Sequence, residues 1–410
     1  MEKLIGNAII GQSGGPTAAI NATLAGVVLG CRESGCVKTI YGAINGIEGI
    51  LNGTFCDIGA QLCDESKLKL LMQTPAAALG SCRKKMKKPE DDPETYEKLL
   101  AFFKKYDIRY FFYIGGNDSM DTVAKLSGYM NGAGYEMRVM GVPKTIDNDL
   151  AGTDHTPGYG SAAKYISTVM QEILLDTAVY TVKAVTIVEI MGRDAGWLTA
   201  AAALPSLHGI APDLVYLPEV PLDFDKFYED IEKAFEKHPS VVVAVSEGAR
   251  TADGKYVGES AQSGATDVFG HKYLSGTGKA LELAVKEKFG CKVRSVELNL
   301  PQRCAAHIRS KTDIDESVCV GRAAAEYAVR GETGKMACFV RESTSPYVCN
   351  TGVCDISKVA NAVRAVPREF INERGNGVTE ECIRYIAPLI AGEAECTYSD
   401  GLPEFFEVKK

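Results

Sequence analysis

Short apolar runs recur along the chain, and each ends in a glycine or polar turn. Asn7 to Ile10, Thr39 to Tyr41, Tyr110 to Ile114 and Val139 to Val142 read as buried strands. Between them lie helical patterns, from about Ala18 to Leu29, from Tyr96 to Tyr106 with Pro93 at the helix start, and from about Met120 onward. Gly42 to Gly49 reads as a glycine-punctuated loop. The second half continues in the same style. Ser161 to Leu174, a small-residue stretch to Ala203, Asp223 to Lys237, Leu274 to Lys288 and Ser317 to Arg330 read as helices. Ala184 to Ile190, Val241 to Val245, Lys292 to Leu298 and Lys335 to Arg341 read as strands. Strand and helix alternate, which predicts an α/β protein built on doubly wound parallel sheets. With 410 residues, two domains are expected.

In open α/β sheets, ligands bind beyond the carboxyl ends of the strands. Gly11-Gln12-Ser13-Gly14-Gly15-Pro16-Thr17 follows the first strand and opens a helix, an arrangement that cradles phosphate on free backbone N–H groups. It matches neither GxGxxG nor the Walker pattern and also fits an ordinary strand-to-helix turn. Gly80-Ser81-Cys82-Arg83 precedes a lysine-rich run; Arg83 suits a phosphate, while Lys85, Lys87 and Lys88 suit a solvated face. Gly115-Gly116-Asn117-Asp118-Ser119 adds a second glycine turn, now with a carboxylate. Pro143 to Asp149 (PKTIDND) gathers a hydroxyl, carboxylates and an ammonium at a strand end. That is a kit for phosphoryl transfer, although a polar turn has the same composition. Later strand ends deliver Arg193, Glu247 and Arg303, suited to a sugar phosphate.

Composition narrows the field. A net charge of −8 argues against nucleic acid or a membrane surface as partner. Hydrophobic residues make up 46%, enough for sizeable cores. The 13 cysteines form no CxxC pair, so neither zinc nor a disulfide framework is indicated, and a cytoplasmic location is expected. No apolar run reaches membrane-spanning length and the first residues lack a signal-peptide layout. None of the five histidines has ligand spacing.

Taken in order, Ser13-Gly14-Gly15, Gly80 to Arg83, Gly115 to Ser119, Pro143 to Asp149, Met191-Gly192-Arg193, Glu247-Gly248 and Gln302-Arg303 resemble the phosphofructokinase family over nearly the whole chain. The Thr-Ile-Asp-Asn-Asp and Met-Gly-Arg blocks are specific, whereas the glycine turns alone are weaker. The resemblance implies two similar doubly wound α/β domains with the active site in the cleft between them. The larger, on the phosphoryl-donor side, would comprise residues 1–158 plus 302–352; the smaller, on the fructose 6-phosphate side, 159–301 plus 353–410. Family members that use ATP usually carry glycine where this chain has Asp118 and Lys144; members that use inorganic pyrophosphate look like this chain at both. A carboxylate at 118 would repel a nucleotide's α-phosphate, and Lys144 would supply a cation to the small, highly charged donor.

The resemblance therefore implies transfer from pyrophosphate to the 1-hydroxyl of fructose 6-phosphate, in either direction. Asp147 would be the base, with Lys144, Thr145 and Arg193 at the transferred group. Gly14, Gly15, Arg83, Asn117, Asp118 and Ser119 would hold the donor. Thr145, Asp147, Met191, Gly192, Arg193, Glu247, Arg294 and Arg303 would hold the sugar phosphate. Asn117, Asp118 and Asp149 would serve Mg²⁺. A neighbouring subunit completes the pocket in the family, implying a homodimer or homotetramer. Asn117 stands where the family generally has aspartate, and Leu300 where many bacterial ATP enzymes have histidine. Ala184, beside Lys183, falls where one cross-subunit arginine is expected, while Arg294 matches the other. Rival expectations are an ATP-dependent member, a non-catalytic subunit of the same fold, and a nicotinamide dehydrogenase, the last weakened by the missing GxGxxG.

Overall fold

In the computed structural model, which describes residues 3–259, 276–360 and 362–410, the strands form two main sheets. The strands are β1 (Gly6–Gln12), β2 (Val37–Ala43), β3 (Phe55–Asp57), β4 (Ile108–Gly115), β5 (Arg138–Pro143), β6 (Ala184–Ile190), β7 (Leu214–Tyr216), β8 (Ser240–Ser246), β9 (Lys292–Glu297), β10 (Lys335–Thr344) and β11 (Tyr347–Asp355). The first sheet has the order β11-β10-β5-β4-β1-β2-β3. Its five inner strands run parallel, and β3 and β11 close the two edges antiparallel. Apolar residues fill the inner strands because helices cover both faces. One face packs against helices Ile20–Glu33 and Lys311–Val329, the other against helices Pro93–Lys105 and Asn117–Gly132.

The second sheet, β7-β8-β6-β9, is wholly parallel. The strand order reverses at β1 in the first sheet and at β6 in the second. Each reversal leaves a crevice beyond the carboxyl ends of the strands. The turns after β1 and β4 flank the first crevice; those after β6, β8 and β9 gather at the second. Helix Tyr159–Ala178 and residues 366–389 pack over the second sheet.

The Gly42–Gly49 stretch departs from the expected loop: helix Gly46–Asn52 forms within it. Ile47 and Ile50 are buried, and their anchoring outweighs the glycines' backbone entropy. The helix expected from about Met120 starts earlier, at Asn117, so Asn117 to Ser119 form its first turn. The helix expected from Leu274 is described from Thr277, and Leu274 lies outside the described residues. The charged tail is structural: Phe406 and Val408 pack against the first core, and Gln61 and Gln73 pair with backbone groups at Lys409, Thr397 and Glu404. No described helix is long and apolar enough to cross a membrane.

Candidate active site

One cleft draws on both sheets. Thr17 and its glycine turn after β1, Arg83, and the Lys144–Asp149 loop after β5 come from the first. Met191, Arg193 and Asp194 after β6, Glu247 after β8, and Arg303 after β9 come from the second. Residues more than two hundred positions apart therefore line one cleft. Four cations (Arg83, Lys144, Arg193, Arg303) face four carboxylates (Asp147, Asp149, Asp194, Glu247).

Lys144 is fixed by its own strand end. Its N–H donates to Gly115 O (3.0 Å), tying the β5 loop to the β4 turn. Its Nζ donates to Gly15 O (2.6 Å), and the side chain is only 2% exposed. Gly14 has φ +77, and a Cβ there would lie 3.3 Å from Lys144 Nζ. Glycine thus permits both the turn and the close cation. Gly14 N and Ser13 Oγ both donate to Cys82 O, at 3.0 and 3.1 Å, and Ser81 Oγ donates to Gly14 O at 2.5 Å. These bonds hold the segment ending at Arg83 against the glycine turn. Thr145 Oγ1 donates to Asp147 Oδ2 (3.3 Å) and accepts from Asp147 N (3.1 Å), so hydroxyl and carboxylate move as a unit.

The opposite wall is equally tied. Gly192 N donates to Glu247 Oε1 (3.2 Å) and Met191 N to Gln302 Oε1 (3.1 Å). Ser246 Oγ donates to Gly192 O and accepts from Gly248 N (3.1 Å). The three turns after β6, β8 and β9 are thereby one unit. Arg193 Nε is buried without a hydrogen-bond partner, a donor left for an anion. Asp194, which carried no sequence role, lines the cleft and pairs with Arg250 at 2.9 Å.

Burial shifts the charges of both walls. It pushes the Asp147 carboxyl up, and pushes Asp149 up to about 7 with help from the Asp147 charge. It raises Glu247 to about 7 and lowers Lys144 to about 8. Burial and the neighbouring Arg83 also lower Arg303. Such shifts are what a site has before its charged ligands arrive.

Several expected residues sit outside the lining. Gly14 and the buried Ser119 lie beneath it. Asp118, at the helix start, makes an ion pair with Lys85 at 3.7 Å, both side chains substantially exposed. The Asn117 amide is assigned so that its nitrogen donates to Val359 O (3.2 Å) and Ala362 O (3.1 Å). Gly192 supports the wall from behind through Glu247. Arg294 lies on β9, exposed at the free edge of the second sheet. Asp147 and Asp149 are half-buried oxygen donors two residues apart, and the Asp147 charge helps raise the Asp149 pKa, a donor set that suits a hard divalent cation. Among the described residues, the cluster of three His, Cys and carboxylate groups close enough to share an ion is His155, Glu316 and Cys349, outside the cleft lining.

The phosphofructokinase family model matches residues 7–305. The pyrophosphate–fructose 6-phosphate 1-phosphotransferase of Halomonas elongata is 42% identical over 98% of this chain and 96% of its own. The crystal structure of a pyrophosphate-dependent phosphofructokinase from Nitrosospira multiformis superposes with a TM-score of 0.88 at 39% identity, covering 98% of this chain and 95% of that one. A second, from Marinobacter aquaeolei, has a TM-score of 0.86 at 37% identity and covers 99% and 98%. With the motif-bearing turns gathered in one cleft and relatives matched end to end, the chain belongs to the phosphofructokinase family.

Proposed function

We propose that the protein moves a phosphoryl group from pyrophosphate to the 1-hydroxyl of fructose 6-phosphate, giving fructose 1,6-bisphosphate and phosphate, and that it also runs in reverse. The observation that carries this reading is the buried Lys144 ammonium on the glycine turn, facing the Asp147 carboxylate. A desolvated cation at that place suits a compact, highly charged donor. The activity named for the relatives that are 37–42% identical points the same way.

In the proposed mechanism, Asp147 accepts the 1-hydroxyl proton as that oxygen forms its bond to phosphorus and the bridging P–O bond breaks. Phosphate leaves with the bridging oxygen. Lys144 and Thr145 hold the transferred group, with Arg193 beside it. Gly14, Gly15, Arg83 and Ser119 shape the donor end. Met191, Gly192, Glu247 and Arg303 hold the sugar phosphate, the arginine gripping the 6-phosphate. Mg²⁺ fits Asp149, with Asp118 and Asn117 near the donor end; when bound it would neutralise phosphate charge. Asp118 stands guard against a nucleotide's α-phosphate, with Lys85 as its partner.

At larger scale, the domains divide as 1–158 plus 302–352 and 159–301 plus 353–410, and the enzyme works in the cytoplasm as a homodimer or homotetramer. The exposure of Arg294, on a sheet edge outside its own cleft, supports a role for it in a neighbouring copy. Replacing Asp147 with Ser tests the chemistry. Turnover should fall by about 10²-fold or more, while fructose 6-phosphate still binds. Turnover at the wild-type rate would remove the base from this mechanism.

A further inference from the structure

Three loops of the cleft grip one short stretch of chain behind it. From the donor turn, Asn117 donates to Val359 O and Ala362 O. From the base loop, Asp149 O accepts from Arg364 N at 2.8 Å, and Leu150 pairs antiparallel with Val363. From the sugar-phosphate turn, Gly196 N and Val366 N share Glu219 Oε1, each at 2.8 Å. Trp197, next along, donates its indole N–H to Arg364 O at 2.9 Å.

Arg364 also acts through its side chain. The guanidinium lies 4.5 Å from the centre of the Trp197 ring. Its Nη1 donates to Asp154 O and its Nη2 to Tyr385 OH, the latter at 3.1 Å. The Tyr385 hydroxyl donates to Asp154 O (2.7 Å) and accepts from Asn148 Nδ2 (3.2 Å). Asn148 is fully buried, has φ +53, and sits between Asp147 and Asp149. Asparagine tolerates that conformation, and both ends of its amide are held, Oδ1 accepting from Thr156 N at 3.1 Å and Nδ2 donating to Tyr385. Neither Arg364, Tyr385 nor Asn148 lines the cleft.

We propose that Arg364 is a positioning residue for phosphoryl transfer, locking the Asp147 loop of the first sheet to Trp197, where the turn that carries Met191 and Arg193 runs into its helix. It fixes the separation between the base and the sugar 1-hydroxyl that the base must deprotonate. A misplacement on the order of 1 Å costs about 10²-fold in such a reaction, so a residue that touches no substrate can govern rate. Lysine is a poor substitute, because one ammonium cannot reproduce a planar fork that stacks on tryptophan and reaches two acceptors. The inference rests on the phosphotransferase reading above.

The test is steady-state kinetics of Arg364→Met, Arg364→Lys and Tyr385→Phe with pyrophosphate and fructose 6-phosphate, alongside thermal melting. For Arg364→Met, kcat should fall about 30-fold or more while both KM values stay within about 3-fold. Arg364→Lys should recover part of that kcat, and Tyr385→Phe should lose about 3- to 10-fold in kcat alone. A purely structural role would lower the melting temperature and leave kcat per folded molecule at the wild-type value, which would overturn the proposal. A rise in KM alone would overturn it too. Should Arg364→Met not fold, the kcat-against-KM split of Tyr385→Phe decides. An inactive wild-type protein would instead defeat the phosphotransferase reading itself.

Discussion

Lys144 carries a testable consequence of its burial. Desolvation lowers its pKa to about 8, so the free enzyme loses the cation as pH rises through that value. In the proposed mechanism the cation is the active form, so kcat/KM for pyrophosphate should show an alkaline limb near pH 8. Bound anion favours the charged form, so the matching limb in kcat should lie higher. Rates measured from pH 6 to 10 check both; a kcat/KM that stays level to pH 10 would remove Lys144 from donor binding. Lys144 and Asp147 were legible in the sequence because a reactive cluster at the end of an apolar strand has a place in the fold already. Arg364 and Tyr385 were not legible. Their partners lie on chain segments remote in sequence, and only packing brings them to Asn148.

Elements show a similar division. Helices Ile20–Glu33 and Lys311–Val329 cross so closely that a Cβ on Gly26 would lie 2.2 Å from Val318 O, and one on Gly321 2.3 Å from Thr23 O. Gly321→Ala should therefore destabilise the protein by about 1–3 kcal/mol through overpacking, read as a lower urea midpoint. An unchanged midpoint would mean the helices separate freely. The segment after the base loop holds His155, buried and stacked on Phe339 at 4.5 Å. Burial alone would lower its pKa, but hydrogen bonds to Asp154 (2.9 Å) and Glu316 (2.8 Å) outweigh this and raise it. Protonated His155 thus contributes stability that is complete below its unfolded pKa of about 6.5 and is lost as pH rises through the raised folded value. His155→Gln should flatten that part of the stability–pH curve, measured by urea unfolding between pH 5.5 and 9. An unaltered curve would contradict the assignment. Apolar period revealed the long inner strands, but β11 and the tail alternate or carry charge and take their order from packing and from partners such as Gln73.

For the whole molecule, one mainly parallel and one wholly parallel sheet each reverse strand order once, and the turns at both reversals face one cleft. The alternation of strand and helix made that architecture legible. The antiparallel edges and the brace at Arg364 emerged only in three dimensions. The central claim is that this cleft takes pyrophosphate, and it is a claim about charge. Lys144 is buried against the Gly15 carbonyl in the cleft, and Asp118 stands in the first turn of the helix after β4. The most direct test is initial rates with fructose 6-phosphate and Mg²⁺, supplying pyrophosphate, ATP or polyphosphate as donor. The account predicts rapid turnover with pyrophosphate and a kcat/KM for ATP lower by about 10²-fold or more. Turnover with ATP as fast as with pyrophosphate would contradict it.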